Sequence, residues 1–509
     1  MNTKENPFFD AMKGIFIGVP VEGESGYINL MRIKARYFER VIMQHLQKEI
    51  EDALQPFPNF REELFDKLYT FFRRYFTENG SIGFFFTPYH QSVYEQVYTD
   101  DQDVILFWKT ARLYYVKTDR LFRSMTVEVD GFKFFFDVST LEHKKANEKR
   151  SLVFEFKERL SDGAFAFTVQ YAERGRQTNL AQIRRAIKDE LGLKNDTPDV
   201  PSEETLEKAF RLFERRSEVD FFICKDAKSF LREQFDLWLW QYLLGKPGEK
   251  PETQWTEDRL KQLQALKRIA YRVIDFIAAF EDELVRIWNK PKFVLRSAYV
   301  ITLDHIYDRK PELLDRILEY PHFKKVEASF TAESLWEEDL TGRCLHSRYR
   351  FLPLDTRYLK DLELEILSLF DNLDEALDGW LIKSENYQAL NAMLPKFRER
   401  VKCIYIDPPY NTGSDEFIYR DRYQHSSWLS MMYDRLRLAR EWMREDGAIF
   451  VSIDDGEQDV LRKAMEAVFG DENFVNNIIW QKKFSPQNDA TWLSDNHDFL
   501  LLFAKHKET

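Results

Sequence analysis

The chain has few cysteines, and their spacing predicts neither a metal site nor a disulfide framework. Three occur in 509 residues, Cys224, Cys344 and Cys403, and no two stand at the Cys-x-x-Cys spacing of zinc sites. Sparse, separated cysteines are typical of a reducing compartment. We therefore predict a cytoplasmic protein with no bound metal.

Long apolar segments and an excess of positive charge are also missing. No uninterrupted apolar run reaches the roughly 18 residues of a membrane-spanning helix, and the N-terminus MNTKENPFFDAMK lacks the apolar core of a signal peptide. We expect no membrane association. The formal net charge is −12, so a nucleic-acid contact would have to use local Lys and Arg patches.

The chain does contain enough apolar sequence for several packed cores. It is 44% hydrophobic and 15% aromatic, with 44 phenylalanines, which favours folded domains over disorder. Hydrophobic patterning predicts a mixed strand and helix domain at 1–178, a mainly helical region at 179–375, and an α/β region at 376–509. The expected fold is thus a largely helical α+β N-terminal part followed by an α/β domain.

The first two regions contain several segments with clear patterns. A helix is predicted at 60–76, a hairpin turn at Asp130-Gly131, and a helix near 259–289 that ends before Pro291. A charged connector is predicted at 355–378. The predicted strands lie at 103–116, 125–138, 151–158 and 163–171.

From Trp380 onward, short apolar strands alternate with amphipathic helices, which predicts a parallel sheet with helices on both faces. An Asp-Gly turn is predicted at 446–447. The helices are expected at 387–394, 428–444 and 458–469. The strands are expected at 380–383, 401–406, 448–453, 474–480 and 499–505. Ligands of such sheets bind beyond the carboxyl ends of the strands.

At one of these carboxyl ends stands the stretch CIYIDPPYNTG, residues 403–413. A strand followed by an acid, two prolines and an aromatic ring suits chemistry on the amino group of a base. The carboxylate of Asp407 and the carbonyl of Pro408 could accept its two N–H groups, and Pro409 keeps the loop rigid. The ring of Tyr410 could stack on the base, worth about 1–3 kcal/mol. A base gripped in this way must first leave the duplex stack.

The segment from about Asp378 to Lys505 resembles the catalytic half of adenine-N6 DNA methyltransferases of the β group, which includes type III modification subunits. The matching stretches are LIKSENYQALNAMLPKFRERVKCIYIDPPYNTGSDEFIYRD, WLSMMYDRLRLAREWMREDGAIFVSIDDGEQ and VFGDENFVNNIIWQKK. The resemblance implies a Rossmann-like methyltransferase sheet, S-adenosylmethionine as methyl donor and a flipped adenine in double-stranded DNA as acceptor. It makes Asp407, Pro408, Pro409 and Tyr410 catalytic, with Phe417 and Trp480 as pocket walls; core packing is the alternative for the last two.

The family has a Gly-Asp-Asn turn whose acid contacts the cofactor. Here the position reads Lys383-Ser384-Glu385-Asn386, so the resemblance implies that Glu385 and Asn386, with Asp407, bind the cofactor; a solvated acid at a helix start is the alternative. The Phe-x-Gly-x-Gly loop that cradles the methionine part of the cofactor is not found among the 18 glycines. We therefore expect a fragment or one half of a split enzyme, inactive by itself.

Three other functions remain open, namely cytosine-N4 methylation, a nuclease and a non-catalytic binding module, whereas cytosine-C5 methylation is disfavoured. Cytosine-N4 methylation uses the same geometry, although Asp before Pro-Pro favours adenine. Cytosine-C5 methylation needs a Cys nucleophile, usually after Pro, and none of the three cysteines follows one. A Mg²⁺-dependent nuclease could use Asp137, Glu155 and Lys157, for which a solvated strand face is the alternative. Lastly, residues 1–375 could be a non-catalytic module that binds DNA, a restriction or translocase subunit, or a second copy.

Overall fold

The computed structural model describes residues 4–17, 37–72, 113–120, 122, 124–139, 141, 151–172, 177–195, 197–244, 256–321, 335–339, 342–412, 425–483 and 496–509. The packing divides the chain into two compact units. The first comprises Met1–Lys290 and Met393–Thr509, and the second comprises Pro291–Ala392. Within the described residues, no helix is both long and apolar enough to cross a membrane.

The elements are numbered along the chain. The α-helices are α1 (Glu5–Ile17), α2 (Met43–Leu54), α3 (Arg61–Phe72), α4 (Leu180–Leu191), α5 (Glu203–Ser217), α6 (Ala227–Leu244), α7 (Glu257–Asn289), α8 (Leu303–Tyr307), α9 (Pro311–Leu318), α10 (Glu363–Leu367), α11 (Leu373–Ala376), α12 (Asn386–Phe397), α13 (His425–Trp442) and α14 (Gln458–Phe469). The strands are β1 (Leu113–Arg120), β2 (Met125–Val129), β3 (Phe132–Asp137), β4 (Leu152–Arg159), β5 (Phe165–Tyr171), β6 (Glu218–Cys224), β7 (Val300–Thr302), β8 (Trp336–Asp339), β9 (Gly342–Leu345), β10 (Pro353–Asp355), β11 (Val401–Ile406), β12 (Met443–Ile453), β13 (Phe474–Gln481) and β14 (His497–Ala504).

The predicted long helix is confirmed as α7. Its first turn is capped by Thr256, whose hydroxyl accepts from the backbone N–H of Arg259 at 3.2 Å, and it ends just before Pro291. One stripe of this helix is buried, as the apolar spacing predicts. The stripe faces a core that α7 shares with α1, α2, α3 and α6, and that continues into α13, α14 and the C-terminal sheet.

A second sheet has its own phenylalanine-rich core. Its order is β2-β3-β5-β4, with α4 and α5 packed on it. The predicted hairpin is confirmed, because Asp130 and Gly131 have φ values of 51° and 84°, as a type I′ turn requires. Stacked rings join sheet and helix: the centroids of Phe154 and Phe210 are 4.3 Å apart. Residues 73–112, which include the start of the strand predicted at 103–116, lie outside the described residues.

The structure differs from three predictions in the middle of the chain. Residues 218–224, in the region predicted as mainly helical, form β6, which pairs antiparallel with β1. The region 355–378 is not a charged connector, because Leu359, Leu362 and Ile366 are buried in the core of the second unit. The packing also divides at residues 290 and 392 instead of at 178 and 375, since the N-terminal helices and the C-terminal sheet share one core.

The second unit contains two small antiparallel ladders. β7 pairs with β10 and β8 pairs with β9. Helices α8, α9 and α10 contribute to its separate apolar core. The predicted strand at 380–383 is absent here, because these residues have no regular hydrogen-bonded structure and are exposed.

The C-terminal sheet has the order β11-β12-β14-β13. β11 and β12 are parallel, as predicted, but β14 runs antiparallel to both of its neighbours, so the sheet is mixed. The reason is local: β13 and β14 follow one another without an intervening described helix, whereas parallel neighbours need a crossover. The predicted Asp-Gly turn at 446–447 is a bulge inside β12, where the register shifts from Val401↔Met443 to Cys403↔Ala448.

Candidate active site

The DPPY loop begins where β11 and β12 end at the same edge of the sheet. β11 ends at Ile406 and β12 at Ile453, and Ile406 pairs with Val451 in parallel register. Asp407 is exposed, Pro408 is buried and Tyr410 is half-buried. The acid therefore faces solvent while the following residues are seated against the protein.

One oxygen of Asp407 is held by the neighbouring strand. The Ser452 hydroxyl on β12 donates to Asp407 Oδ1 at 2.9 Å. The same hydroxyl lies 3.1 Å from the hydroxyl of Tyr405, so a short chain of hydrogen bonds leads to the carboxylate. The phenol hydroxyl of Tyr410 makes a second hydrogen bond with this carboxylate. The carboxylate is thus oriented, and because an ionised carboxylate can accept about four hydrogen bonds, it retains capacity for an incoming N–H group.

Tyr410 is a neutral phenol beside this carboxylate. Burial raises the pKa of Tyr410 to about 12. A hydrogen bond with Ser452 acts in the opposite direction, and the negative charges of Asp407 and Asp498 add to the rise. The ring also packs against the shared core. A partly covered, uncharged ring is the form that stacking on a base requires.

Two contacts fix the loop after its prolines. The indole N–H of Trp428, fully buried on α13, donates to the carbonyl of Pro409 at 2.8 Å. Asn411 has a φ of 63°, a left-handed conformation that Asn tolerates, and its side chain donates to Glu457 Oε1 at 2.6 Å. The loop is therefore anchored on both sides of Tyr410 by groups from outside the motif.

The predicted cofactor residues occupy a helix start. Glu385 and Asn386 are exposed, and Asn386 is the first residue of α12. The carboxylate of Glu385 accepts from the backbone N–H of Gln388 at 2.9 Å, which is a capping contact. This geometry accounts for Glu385 as a helix cap, and its role toward a cofactor remains a prediction.

Of the two residues predicted as pocket walls, the structure describes only Trp480. Phe417 lies outside the described residues. Trp480 is on the outer strand β13, where it pairs with Asp498, and it is 66% exposed. Core packing, the alternative for this ring, is therefore wrong. Since Asp498 is near enough to raise the pKa of Tyr410, Trp480 borders the same edge of the sheet.

Sequence reasoning missed Ser452, Trp428 and Glu457. Ser452 carries a usable signal, because it is the one polar residue in the apolar run AIFVSI and stands at the end of a strand. Glu457 is only 1% exposed, which no local pattern indicates. Trp428 resembles an ordinary core residue of an amphipathic helix, so its hydrogen bond to the loop becomes visible only in the structure.

The structure also brings together the residues of the nuclease alternative. Asp137 and Glu155 both pair with Thr168, from opposite sides of β5. Lys157 Nζ lies 3.0 Å from Asp137 Oδ2. Hydrogen bonds from Ser139 and Lys157 lower the pKa of Asp137 to about 2. Within the described ranges, no group of three His, Cys, Asp or Glu side chains could hold a metal ion.

The C-terminal part of the chain is similar to DNA methyltransferases. Residues 401–509 match the family model N6_N4_Mtase, described as DNA methylase. The probable type III restriction-modification enzyme HindVI Mod subunit of Haemophilus influenzae is 40% identical over 134 residues, which cover 26% of this chain and 18% of that protein. The EcoP15I Mod subunit of Escherichia coli is 35% identical over 158 residues, covering 25% and 24%.

The similarity extends to type II enzymes. The type II methyltransferase M.KpnI of Klebsiella pneumoniae is 29% identical over 161 residues, covering 28% of this chain and 38% of that protein. The solved cytosine-N4-specific PvuII DNA methyltransferase matches 23% of this chain and 47% of its own at 14% identity, and its TM-score of 0.18 carries no argument. The predicted resemblance to type III modification subunits is confirmed for this part of the chain, which spans 18–24% of the length of the Mod subunits named above.

Proposed function

We propose that this chain supplies the base-binding and catalytic loop of a DNA adenine-N6 methyltransferase of a restriction-modification or related defence system. One observation supports the proposal most directly. The exposed Asp407 carboxylate is oriented by the neutral hydroxyls of Ser452 and Tyr410, on a loop that is anchored at Pro409 and Asn411. Such preorganisation is what transfer to a weak nucleophile needs.

The exocyclic nitrogen of adenine is a poor nucleophile because its lone pair is delocalised into the ring. Asp407 Oδ2 would accept one N–H and the carbonyl of Pro408 the other, which draws the nitrogen toward tetrahedral geometry and localises the lone pair. As the N–C bond forms, the proton leaves toward the Asp407 carboxylate or water. Tyr410, with Trp480 at the rim, would hold the flipped base by stacking.

S-adenosylmethionine, when bound, would supply the methyl group as an electrophile: its S–CH₃ bond would break as the N–C bond forms, and the sulfur would leave as a neutral thioether. Glu385 and Asn386 are exposed at the start of α12, and so are accessible to a ligand. The described residues nevertheless give Glu385 a capping role, and we derive no step from its contact with the donor. Double-stranded DNA is the proposed substrate. A restriction or translocase subunit, or a second copy, is the proposed partner.

The test measures how well the chain distinguishes adenine from purine, which lacks the amino group. Single-stranded oligonucleotides carrying one or the other are compared, because a single strand presents the base without the cost of unstacking a duplex. We expect tighter binding of the adenine oligonucleotide, by roughly tenfold for one charge-assisted hydrogen bond. Asp407→Asn should abolish this preference and leave purine binding unchanged.

The matched control is Tyr410→Ala, which removes stacking and should weaken the binding of both oligonucleotides alike, by about 1–3 kcal/mol. Equal affinity of the unaltered chain for adenine and purine would contradict the proposal. Transfer of labelled methyl groups to DNA, followed by identification of the methylated nucleoside, decides between N6-methyladenine and the N4-methylcytosine alternative. This assay needs the chain together with the part that carries the Phe-x-Gly-x-Gly loop, and there Asp407→Ala should lose methyl incorporation with the fold intact.

A further inference from the structure

A buried ion pair joins the N-terminal part of the chain to the helix that anchors the candidate active-site loop. Lys225 follows β6 directly, at the turn before α6, and its ammonium contacts Asp434 Oδ1 on α13. The side chain of Lys225 is 15% exposed and that of Asp434 is 6% exposed. This contact spans 209 positions of sequence.

Aromatic rings surround the ammonium of Lys225. It lies 4.5 Å from the ring centroid of Tyr114 on β1 and 5.8 Å from that of Tyr433 on α13. Burial lowers the pKa of Lys225 and raises the pKa of Asp434, because both charged forms are removed from water. Arg437 lies near both groups and Arg435 near Asp434. The buried ion pair joins α13 to the turn that follows β6.

The same helix holds the loop from another of its faces. Trp428 and Asp434 are six positions apart, which corresponds to about 9 Å along the axis and about 240° around it. Trp428 faces the DPPY loop and donates to the carbonyl of Pro409, whereas Asp434 faces β1 and β6. A displacement at Asp434 is therefore transmitted through a rigid helix to the loop.

We infer that Lys225 is a positioning residue, which orients the DPPY loop for its substrate through Asp434, helix α13 and the hydrogen bond from Trp428 to Pro409. This inference rests on the proposed function. It gives residues 113–244 a role in that site, although the sequence resemblance begins only near residue 378. The N-terminal part thus takes part in shaping the base-binding loop.

The test removes both charges together, in the variant Lys225→Met with Asp434→Leu. Replacing a buried ion pair by apolar residues of similar volume often preserves the fold. We expect two changes in the folded protein. Hydrogen exchange at the backbone amides of Tyr410 and Asn411 should accelerate roughly tenfold, and the preference for adenine over purine oligonucleotides should fall roughly tenfold.

The control is Lys267→Met. Lys267 makes an ion pair with Asp236 at 2.8 Å, but this pair joins α7 to α6 and does not involve α13. It should leave the exchange rates and the base preference unchanged. A second variant, Lys225→Arg, keeps the charge with a larger head group, and we expect it to fold and to shift both readouts in the same direction by a few-fold.

Hydrogen exchange tests the positioning role of Lys225, and the base preference of the unaltered chain tests the proposed function. If the folded charge-free variant exchanges its loop amides at the original rate, and Lys225→Arg does so too, the positioning role is wrong and the pair only stabilises the fold. If the unaltered chain shows no preference for adenine, the proposed function is wrong, and the exchange rates alone decide whether Lys225 positions the loop. Faster exchange with an unchanged preference would overturn the inference as well.

Discussion

Asp407 and Asp137 are two carboxylates at the ends of similar strands, yet the protein uses their oxygens differently. FKFFFD and VKCIYID both place an acid after an apolar and aromatic run. Hydrogen bonds from the side chain and the backbone of Ser139, together with Lys157, lower the pKa of Asp137 to about 2. Asp407 is contacted by the neutral hydroxyls of Ser452 and Tyr410 and stays exposed.

The difference lies in what surrounds each acid. Two hydrogen bonds from Ser139 and the ammonium of Lys157 together satisfy Asp137 and leave little capacity for a further ligand. Neutral hydroxyls alone orient Asp407, so its charge is not neutralised. A carboxylate prepared for substrate is therefore recognised by partial satisfaction on a rigid support. Its position at the end of a strand does not distinguish it from a structural acid.

The largest effect is expected from Ser452→Ala, which removes the hydroxyl that orients Asp407. The carboxylate would then lose the hydrogen bond from its neighbouring strand, and the loss of preorganisation should lower the preference for adenine about tenfold. Binding of the purine oligonucleotide provides the reference. Ser452→Thr retains the hydroxyl and is the control, expected to keep most of the preference. If Ser452→Ala keeps the full preference for adenine, a group other than Ser452 orients the Asp407 carboxylate.

The comparison also shows which parts of the site the sequence could predict. The DPPY loop, β11 and helix 458–469 follow from local patterns of apolar residues, prolines and turns, and the structure has them at the predicted positions. Contacts that orient the loop come from Ser452, Trp428 and Glu457, which are distant in sequence. Such contacts depend on register and packing, for which a single sequence offers no periodic signal.

The errors in the fold have the same origin. Residues 380–383 are apolar enough for a strand, but a strand needs a hydrogen-bonded neighbour, and none is formed in the described residues. Asp446-Gly447 is a common turn signal, yet the pairing of β12 with β11 continues on both sides of it, so the dipeptide becomes a bulge. Gly447 suits this position, since an added Cβ would come within 2.9 Å of the Arg444 carbonyl oxygen.

A smaller effect is expected on the titration of Tyr410. It sharpens the comparison of Asp407 with Asp137 by testing whether the Tyr410 hydroxyl is enclosed beside Asp407. Its folded pKa of about 12 lies above the ordinary tyrosine value of 10.0. The neutral phenol therefore contributes fully to the free energy of unfolding below pH 10, and this contribution is lost as the pH rises through 12. The ultraviolet titration of Tyr410→Phe should lack one transition near pH 12. A missing transition near pH 10 would mean that the hydroxyl is open to water.

The smallest effect is expected from Asp137→Asn, which tests whether Asp137 is a structural acid. If the ion pair with Lys157 is only a strand-face contact, the free energy of unfolding should fall by less than about 1 kcal/mol at neutral pH. Because the folded pKa of Asp137, about 2, lies below the ordinary aspartate value of 3.8, this contribution is present above pH 3.8 and disappears as the pH falls through 2. Chemical unfolding of both proteins over that pH range measures it.

Nuclease activity would contradict the contrast between Asp407 and Asp137. Glu155 shares a register row with Asp137 across Thr168, so a Mg²⁺ ion that displaced Lys157 would meet two carboxylates. We expect no Mg²⁺-dependent cleavage of DNA, because the ammonium of Lys157 already satisfies Asp137 without a metal. Cleavage by the unaltered chain that is lost in Glu155→Ala would show that Asp137, like Asp407, is held ready for a ligand. An ion pair in a structure without ligands would then be no guide to which strand-end acid does chemistry.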